Sequence, residues 1–267
     1  MIAFLPSNNT EGSDIVECTD DLNRVNAELA NCVGDTSVAL SILADDNDFF
    51  EVKADYAKDM VTGFLKLDGV TVGAVANRSE IYDEEGKTAE KLDAVLSAEG
   101  CGKAADFVNF CDAFEIPVLT LTNVKGYKAT ISSEKGIAKA AAKLVYAFAN
   151  ASVPKVNVII GKAMGTAGIV MNSKAIGADL TMAWPDAQIG TMDGKLAAKI
   201  MFEGQGADVI NEKAAAYDAM LSAGSAARRG YVDQIVEAAD TRKYVIGAFE
   251  MLFTKSEDRP IKKHGTV

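Results

Sequence analysis

Between residues 61 and 192 the chain alternates strand-like and helix-like patterns, and that order limits the possible folds more than any other feature. Val61-Thr-Gly-Phe-Leu-Lys-Leu67 and Thr71-Val-Gly-Ala-Val-Ala-Asn77 are two β-rich runs. Asp68-Gly69 lies between them, a pair that favours a tight hairpin turn. From Glu99 to Glu115 the apolar residues Ala104, Phe107, Val108, Cys111 and Phe114 follow helical spacing. Ile116-Pro117 ends that helix, and Val118 to Thr122 is a short buried strand. A loop containing Gly126 follows. Ser132 or Ser133 can cap a second helix, which runs to Asn150 with Ile137, Ala141, Leu144, Val145 and Phe148 on one face. Val156 to Ile160 is the next strand. The loop Gly161 to Thr166 then enters a helix reaching Ile176, with Gly177 as the residue that ends it. Strand patterns return at Leu180–Trp184 and Ala187–Met192. A parallel α/β sheet with crossover helices accounts for this order.

Outside that region the pattern is weaker. The first 35 residues are polar and read as an irregular arm with one short helix. Leu40 to Leu43 belongs to a helix that the acidic run Asp45 to Asp48 ends, and Glu80 to Thr88 reads as a charged loop. Helical stretches are expected at Lys195–Phe202 and Ala207–Ala223, and a short strand at Val232–Val236. Asp240 can cap a last helix that turns Val245, Ala248, Phe249 and Leu252 inward. The expectation is one domain over 1–267: an arm at 1–35, a core at 36–255 and a polar, basic tail at 256–267. No internal repeat or low-complexity linker divides it.

Composition removes several function classes. With 27 Lys and Arg against 38 Asp and Glu, the formal net charge is −11. Nucleic acid and anionic membrane surfaces are therefore poor partners. The four cysteines, Cys18, Cys32, Cys101 and Cys111, form no Cys-x-x-Cys pair, and His264 is the single histidine. No metal site of Cys and His is expected. Reduced thiols in a cytoplasmic protein are the expectation. Neither a signal peptide nor an apolar run of 18 residues is present in the sequence.

One segment is chemically interesting. Gly161-Lys-Ala-Met-Gly165-Thr-Ala-Gly168 follows a strand and opens a helix, an arrangement that points backbone N–H groups toward a ligand. The spacing matches neither a Walker loop nor Gly-x-Gly-x-x-Gly. No tyrosine has a lysine four places on, which argues against a short-chain dehydrogenase. A phosphate cradle, an oxyanion hole and simple close packing of helix on strand all remain open at this level. Acidic pairs such as Asp45-Asp46 and Glu84-Glu85 read as solvated loops. His264 sits beside Lys262 and Lys263 in the tail, a poor place for a triad base. Trp184-Pro185 reads as packing.

Several stretches taken together resemble the second half of the β subunit of biotin-dependent acyl-CoA carboxylases. They are Leu5-Pro-Ser-Asn-Asn9, Asp48-Phe-Phe-Glu51, Val61-Thr-Gly-Phe64, Val72-Gly-Ala-Val-Ala-Asn77, the run Ala105 to Phe114 with Ile116-Pro-Val118, and Leu144 to Ala149. Val153-Pro-Lys-Val156, Lys162-Ala163, Gly177-Ala-Asp-Leu180, Ala183-Trp-Pro185, Arg229-Gly-Tyr-Val-Asp233, Ala248 to Leu252 and Arg259 to Gly265 continue it in order along nearly the whole chain.

The resemblance implies a crotonase-like spiral of ββα turns. It implies transfer of a carboxyl group between biotin, borne on a separate carrier protein, and the α-carbon of a short-chain acyl-CoA. Both reactants pass through an oxyanion, so fixed N–H donors matter more than a charged side chain, and biotin itself is the base. The implied biotin-side donors are the N–H groups of Gly165, Thr166 and Ala167. The strand-end loop at Gly126 and Tyr127 would face the same cavity, and Ile169, Met164 and Lys125 would line the substrate pocket. No metal is implied.

The implied partners are a first-half carboxyltransferase chain, a biotin carboxyl carrier protein, and a biotin carboxylase or a membrane decarboxylase subunit, in a homo- or hetero-oligomer. Sodium-pumping decarboxylases and transcarboxylases use the same half-site, and a non-catalytic scaffold is a further alternative. A hydratase is disfavoured because no Glu pair stands near either loop. Two departures from the family pattern stand out. Asn123-Val-Lys-Gly-Tyr127 replaces Asp-Val-Pro-Gly-Phe, and Gly165-Thr-Ala-Gly168 replaces Gly-Gly-Ala-Tyr. The chain corresponds to one half of the usual subunit, either as a separately encoded subunit or as a fragment.

Overall fold

The order of strands and helices expected from the sequence is realised in a computed structural model of the chain, which describes residues 2–8, 11, 15–83 and 85–257. His264 and the tail from Asp258 onward lie outside the described residues. After an arm with two short 3₁₀ turns, helix α1 (Thr36–Leu43) leads to the edge strand β1 (Phe49–Glu51). The hairpin strands β2 (Met60–Leu67) and β3 (Val70–Asn77) follow, joined by Asp68 and Gly69 at φ of 53° and 72°. Positive φ at both turn residues is what a two-residue hairpin of this hand requires. Next come β4 (Glu80–Tyr82), β5 (Thr88–Lys91), β6 (Val95–Leu96) and α2 (Ala98–Ala113). The chain continues through β7 (Val118–Val124), β8 (Gly126–Tyr127), α3 (Ile131–Glu134) and α4 (Ile137–Asn150). Then come β9 (Lys155–Met164), α5 (Gly165–Val170), β10 (Leu180–Ala183) and β11 (Gln188–Gly190). It closes with α6 (Gly194–Met201), α7 (Ala207–Ala219), α8 (Ala223–Arg228), β12 (Gln234–Ile235) and α9 (Thr241–Leu252).

The main sheet has the order β1-β2-β3-β7-β9-β10-β12, with β11 beside the distal part of β9. β1, β2 and β3 are antiparallel, and β3 through β12 run parallel. Parallel neighbours need crossovers, which α2 and α4 supply. Turns of the implied ββα spiral are present as β3–β6–α2 and β7–β8–α4, with β6 and β8 paired in a small parallel sheet. Alternation along each strand divides the core. Leu119, Leu121, Val156, Val158 and Met182 face α1 and α9, packing with Leu40, Val245 and Phe249. Val118 and Val124 face α2 and α4, where the Phe64 and Phe107 rings pack tilted with centroids 5.0 Å apart.

Some elements differ from the sequence expectation. Glu80 to Thr88 is not simply a loop, because β4 and β5 form a bulged hairpin there. β5 is exposed throughout and carries no apolar alternation, so strand periodicity could not reveal it. Thr130, not Ser132 or Ser133, caps the single turn α3, and α4 begins afresh after Gly136. β9 runs four residues past Ile160, and α5 stops at Val170, with a separate 3₁₀ turn before Gly177 at φ 98°. Asp240 stands at the start of α9 without capping it; its carboxylate binds Lys243 at 2.8 Å instead. Trp184 does pack: it is buried and donates its Nε1 hydrogen to Thr241 Oγ1 at 2.9 Å.

Candidate functional site

The site is built where β9 turns directly into α5. Gly165 has φ +58°, and a Cβ there would lie 3.1 Å from the Thr191 carbonyl oxygen. Glycine meets both demands without strain. Met164 precedes the helix and makes no side-chain capping bond. The first N–H groups of a helix have no intrahelical acceptor, and Gly165, Thr166 and Ala167 are the first three residues of α5. A Cβ on Gly168 would meet the Ala163 carbonyl carbon at 2.7 Å, so α5 lies flat on the strand that delivers it.

Beside α5 opens a cavity of about 420 Å³. Gly165, Thr166 and Ile169 line it, with Ile159 and Ala163 of β9, Ile189 to Thr191, and Tyr217, Met220 and Leu221 from the α7 side. Its remaining wall comes from Ser173, Lys174, Thr181, Arg229 and Tyr231. Ala167 and Met164 are buried, outside the lining. Gly126 and Tyr127 form β8, which packs against α5 and brings Tyr127 beside the Thr166 side chain. Burial pushes the Tyr127 phenol above its ordinary range, an effect that the polar Thr166 side chain beside it partly offsets. Lys125 is exposed, ion-paired with Asp93 at 3.3 Å, and outside the cavity lining. The cavity wall thus includes Gly165, Thr166 and Ile169, while Ala167, Met164, Lys125, Gly126 and Tyr127 lie outside its lining, although Tyr127 stands beside Thr166.

A larger hollow of about 720 Å³ lies among Val70, Pro117, Pro154 and Phe249. It sits at the opposite ends of the strands, where β7 and β9 begin. The smaller cavity lies at their carboxyl ends, the side on which open α/β sheets bind ligands, and it is the candidate.

Asparagine side chains hold the strand ends beneath it. Asn123 bulges out of β7, and its N–H donates to Asn77 Oδ1 at 2.8 Å. Asn77 Nδ2 donates back to the Asn123 carbonyl, and Asn123 Oδ1 accepts the Lys162 N–H at 3.0 Å. Gly161 leaves the space that this side chain occupies. The far end of α5 is fixed too: Thr122 Oγ1 donates to the Met171 carbonyl at 3.3 Å, and Asn172 Nδ2 to Thr120 Oγ1 at 3.2 Å.

Ser173, Lys174, Thr181, Arg229 and Tyr231 are cavity residues that sequence reasoning did not single out. A signal existed for Thr181. It is a lone polar residue within an apolar strand, as Asn157 is in Val-Asn-Val. Among the described residues no group of three or more His, Cys, Asp or Glu could hold a metal ion. Nor is any helix among them long and apolar enough to cross a membrane.

The family model for the carboxyl transferase domain matches residues 1–267. The propionyl-CoA carboxylase beta chain of Roseobacter denitrificans is 38% identical over 278 residues, covering 100% of this chain and 52% of that one. The methylmalonyl-CoA decarboxylase subunit alpha of Propionigenium modestum is 34% identical over 282 residues, covering 100% and 53%. Among solved structures, a transcarboxylase 12S hexamer with hydrolysed methylmalonyl-coenzyme A bound superposes with a TM-score of 0.89 at 37% identity, over 99% of this chain and 52% of that one. The chain spans about half the length of the curated relatives it matches.

Proposed function

As this chain belongs to the carboxyl transferase domain family, we propose that it supplies the biotin-side half of a carboxyl-transfer site. The reaction moves a carboxyl group between biotin on a separate carrier protein and the α-carbon of a short-chain acyl-CoA. The observation that carries this reading is the left-handed turn at Gly165, which opens α5 at the wall of the cavity; the N–H groups of that first turn are the donors of this reading. Such donors, fixed before the reaction starts, stabilise the enolate-like oxygen that forms when the biotin ureido nitrogen loses its carboxyl group. Removing one donor of this kind costs roughly 10²–10³ in rate in other enzymes. Ile169 turns an apolar side chain to the cavity, which favours a short apolar acyl group. The remaining half of the site, including most contacts to coenzyme A, comes from a first-half chain. A biotin carboxylase would drive the reaction toward carboxylation and a membrane decarboxylase subunit would drive it in reverse. The protein works in the cytoplasm, where its four free cysteines stay reduced.

A scaffold role is the second reading, favoured by one observation: Thr166 puts a side chain among the first residues of α5, where the proposed donors lie. An assay of CoA-dependent carboxyl transfer to free biotin separates the two. The chain alone should be silent, and the chain mixed with a first-half partner should be active. Strong activity from the lone chain sinks the half-site reading, and silence with an otherwise competent partner favours the scaffold.

A further inference from the structure

Among the described residues, buried side-chain polar atoms without a hydrogen-bond partner are few, and four of them share one neighbourhood: Asn157 Nδ2, Asn172 Oδ1, Ser173 Oγ and Thr181 Oγ1. Strand register explains why. Asn157 stands opposite Thr120 on one side and Thr181 on the other. All three project to the face away from the Leu119, Val156 and Met182 core, because side chains alternate along a strand. Asn172 closes over this row from the end of α5. Ser173 and Thr181 lie in the cavity wall, and Thr181 is only 1% exposed. Buried polar groups are nearly always paired, so two unpaired hydroxyls in the cavity wall, backed by the unpaired amide atoms of Asn157 and Asn172, suit a hydrogen-bonding guest.

Charge identifies the guest. The chain carries a formal −11, yet the cavity wall holds Lys174 and Arg229 and no Asp or Glu. Lys174 is neutralised by Asp233. Arg229 donates to the carbonyls of Ser225 and Met220, and it has no carboxylate partner among the described residues' ion pairs. A cation and free hydroxyl donors in one cavity lining with the apolar Ile159 and Ile189 suit an anion on a short apolar body.

We propose that the cavity floor is a carboxylate-binding subsite, with Ser173 and Thr181 as hydrogen-bond donors and Arg229 as the counter-charge. Its use in carboxyl transfer rests on the function proposed above; the anion binding itself does not. The test is a titration of the ¹⁵N-labelled full chain with sodium propionate, propionamide and sodium chloride at matched ionic strength, followed by the amide resonances of Ser173 and Thr181. Propionate gives saturable shifts, and propionamide and chloride do not. Thr181→Val and Ser173→Ala each weaken propionate binding by about tenfold, the size expected for one hydrogen bond to a charged group. If Thr181→Val does not fold, Ser173→Ala decides. Equal responses to propionate and propionamide, no response to either, or wild-type affinity in the folded variants overturns the subsite. An active transferase that ignores propionate loses only the subsite; a chain that binds propionate but never supports transfer loses only the proposed reaction.

Discussion

Gly165 joins a backbone demand to a chemical one. Its φ of +58° costs an L residue conformational energy, and the Thr191 carbonyl stands 3.1 Å from where a Cβ would sit. A methyl group there must therefore tilt the first turn of α5. Gly165→Ala should lose about 1 kcal/mol of stability. It should also lose roughly 10² in transfer rate with the partner present, because misaimed donors cannot follow the developing oxyanion. Urea denaturation and the biotin-transfer assay measure the two losses separately; a variant with full activity would remove Gly165 from the chemistry. Lys103 shows the opposite case, a charged residue whose work is architectural. It is 2% exposed, and its ammonium donates to the carbonyls of Lys53, Tyr56 and Met60 at 2.8, 2.8 and 2.7 Å. Lys103→Met leaves the buried Met60 carbonyl and two part-buried carbonyls without their donor and should cost about 3 kcal/mol, read as a lower urea midpoint with unchanged slope.

At the scale of elements, the strand ends around the cavity depend on Asn123. Its side chain and backbone join β3, β7 and β9 through Asn77 and the Lys162 N–H. Asn123→Ala removes the bond to β9 and should cost about 1 kcal/mol, while lowering kcat with the partner present more than it raises KM. An unchanged kcat would mean that the cavity tolerates a looser β9.

The distal part of β9 is hidden in the sequence for a physical reason. Gly161 looks like the start of a loop, but it lets the Asn123 side chain lie against β9, and the strand continues to Met164. Local signals were legible where the cause is local. Asp68-Gly69 specifies a turn whatever surrounds it, and the helical spacing of Ala104, Phe107, Val108 and Cys111 appears in α2 with all four buried. The Gly165 turn was legible as a strand entering a helix. The row of Thr120, Asn157 and Thr181 was not, because it exists only once three strands are paired in register. Arg229 likewise reaches the cavity from far along the chain, through α8.

At the scale of the whole molecule, the two ends of the described chain are locked to each other. Arg242, at the start of α9, is 3% exposed. One of its amino groups donates to the Leu43 carbonyl at 2.6 Å and the other to Asp45 at 2.6 Å, with Asp20 of the arm 3.4 Å away. Asp45 in turn accepts the N–H groups of Asp68 and Gly69 at 3.2 and 2.8 Å. Arg242, paired with both Asp45 and Asp20, therefore connects the arm, the end of α1, the β2–β3 turn and α9. Replacing both ions by apolar groups can be nearly neutral, but deleting one leaves the other charged and uncompensated, at about 3–5 kcal/mol. Arg242→Met should accordingly lower the urea midpoint of the whole chain in one cooperative transition. Arg242→Met with Asp45→Leu should recover part of the loss. If instead hydrogen exchange rises in α9 alone while the main sheet keeps its protection, the pair closes the C-terminal helix only, and the two ends of the chain fold as separate units.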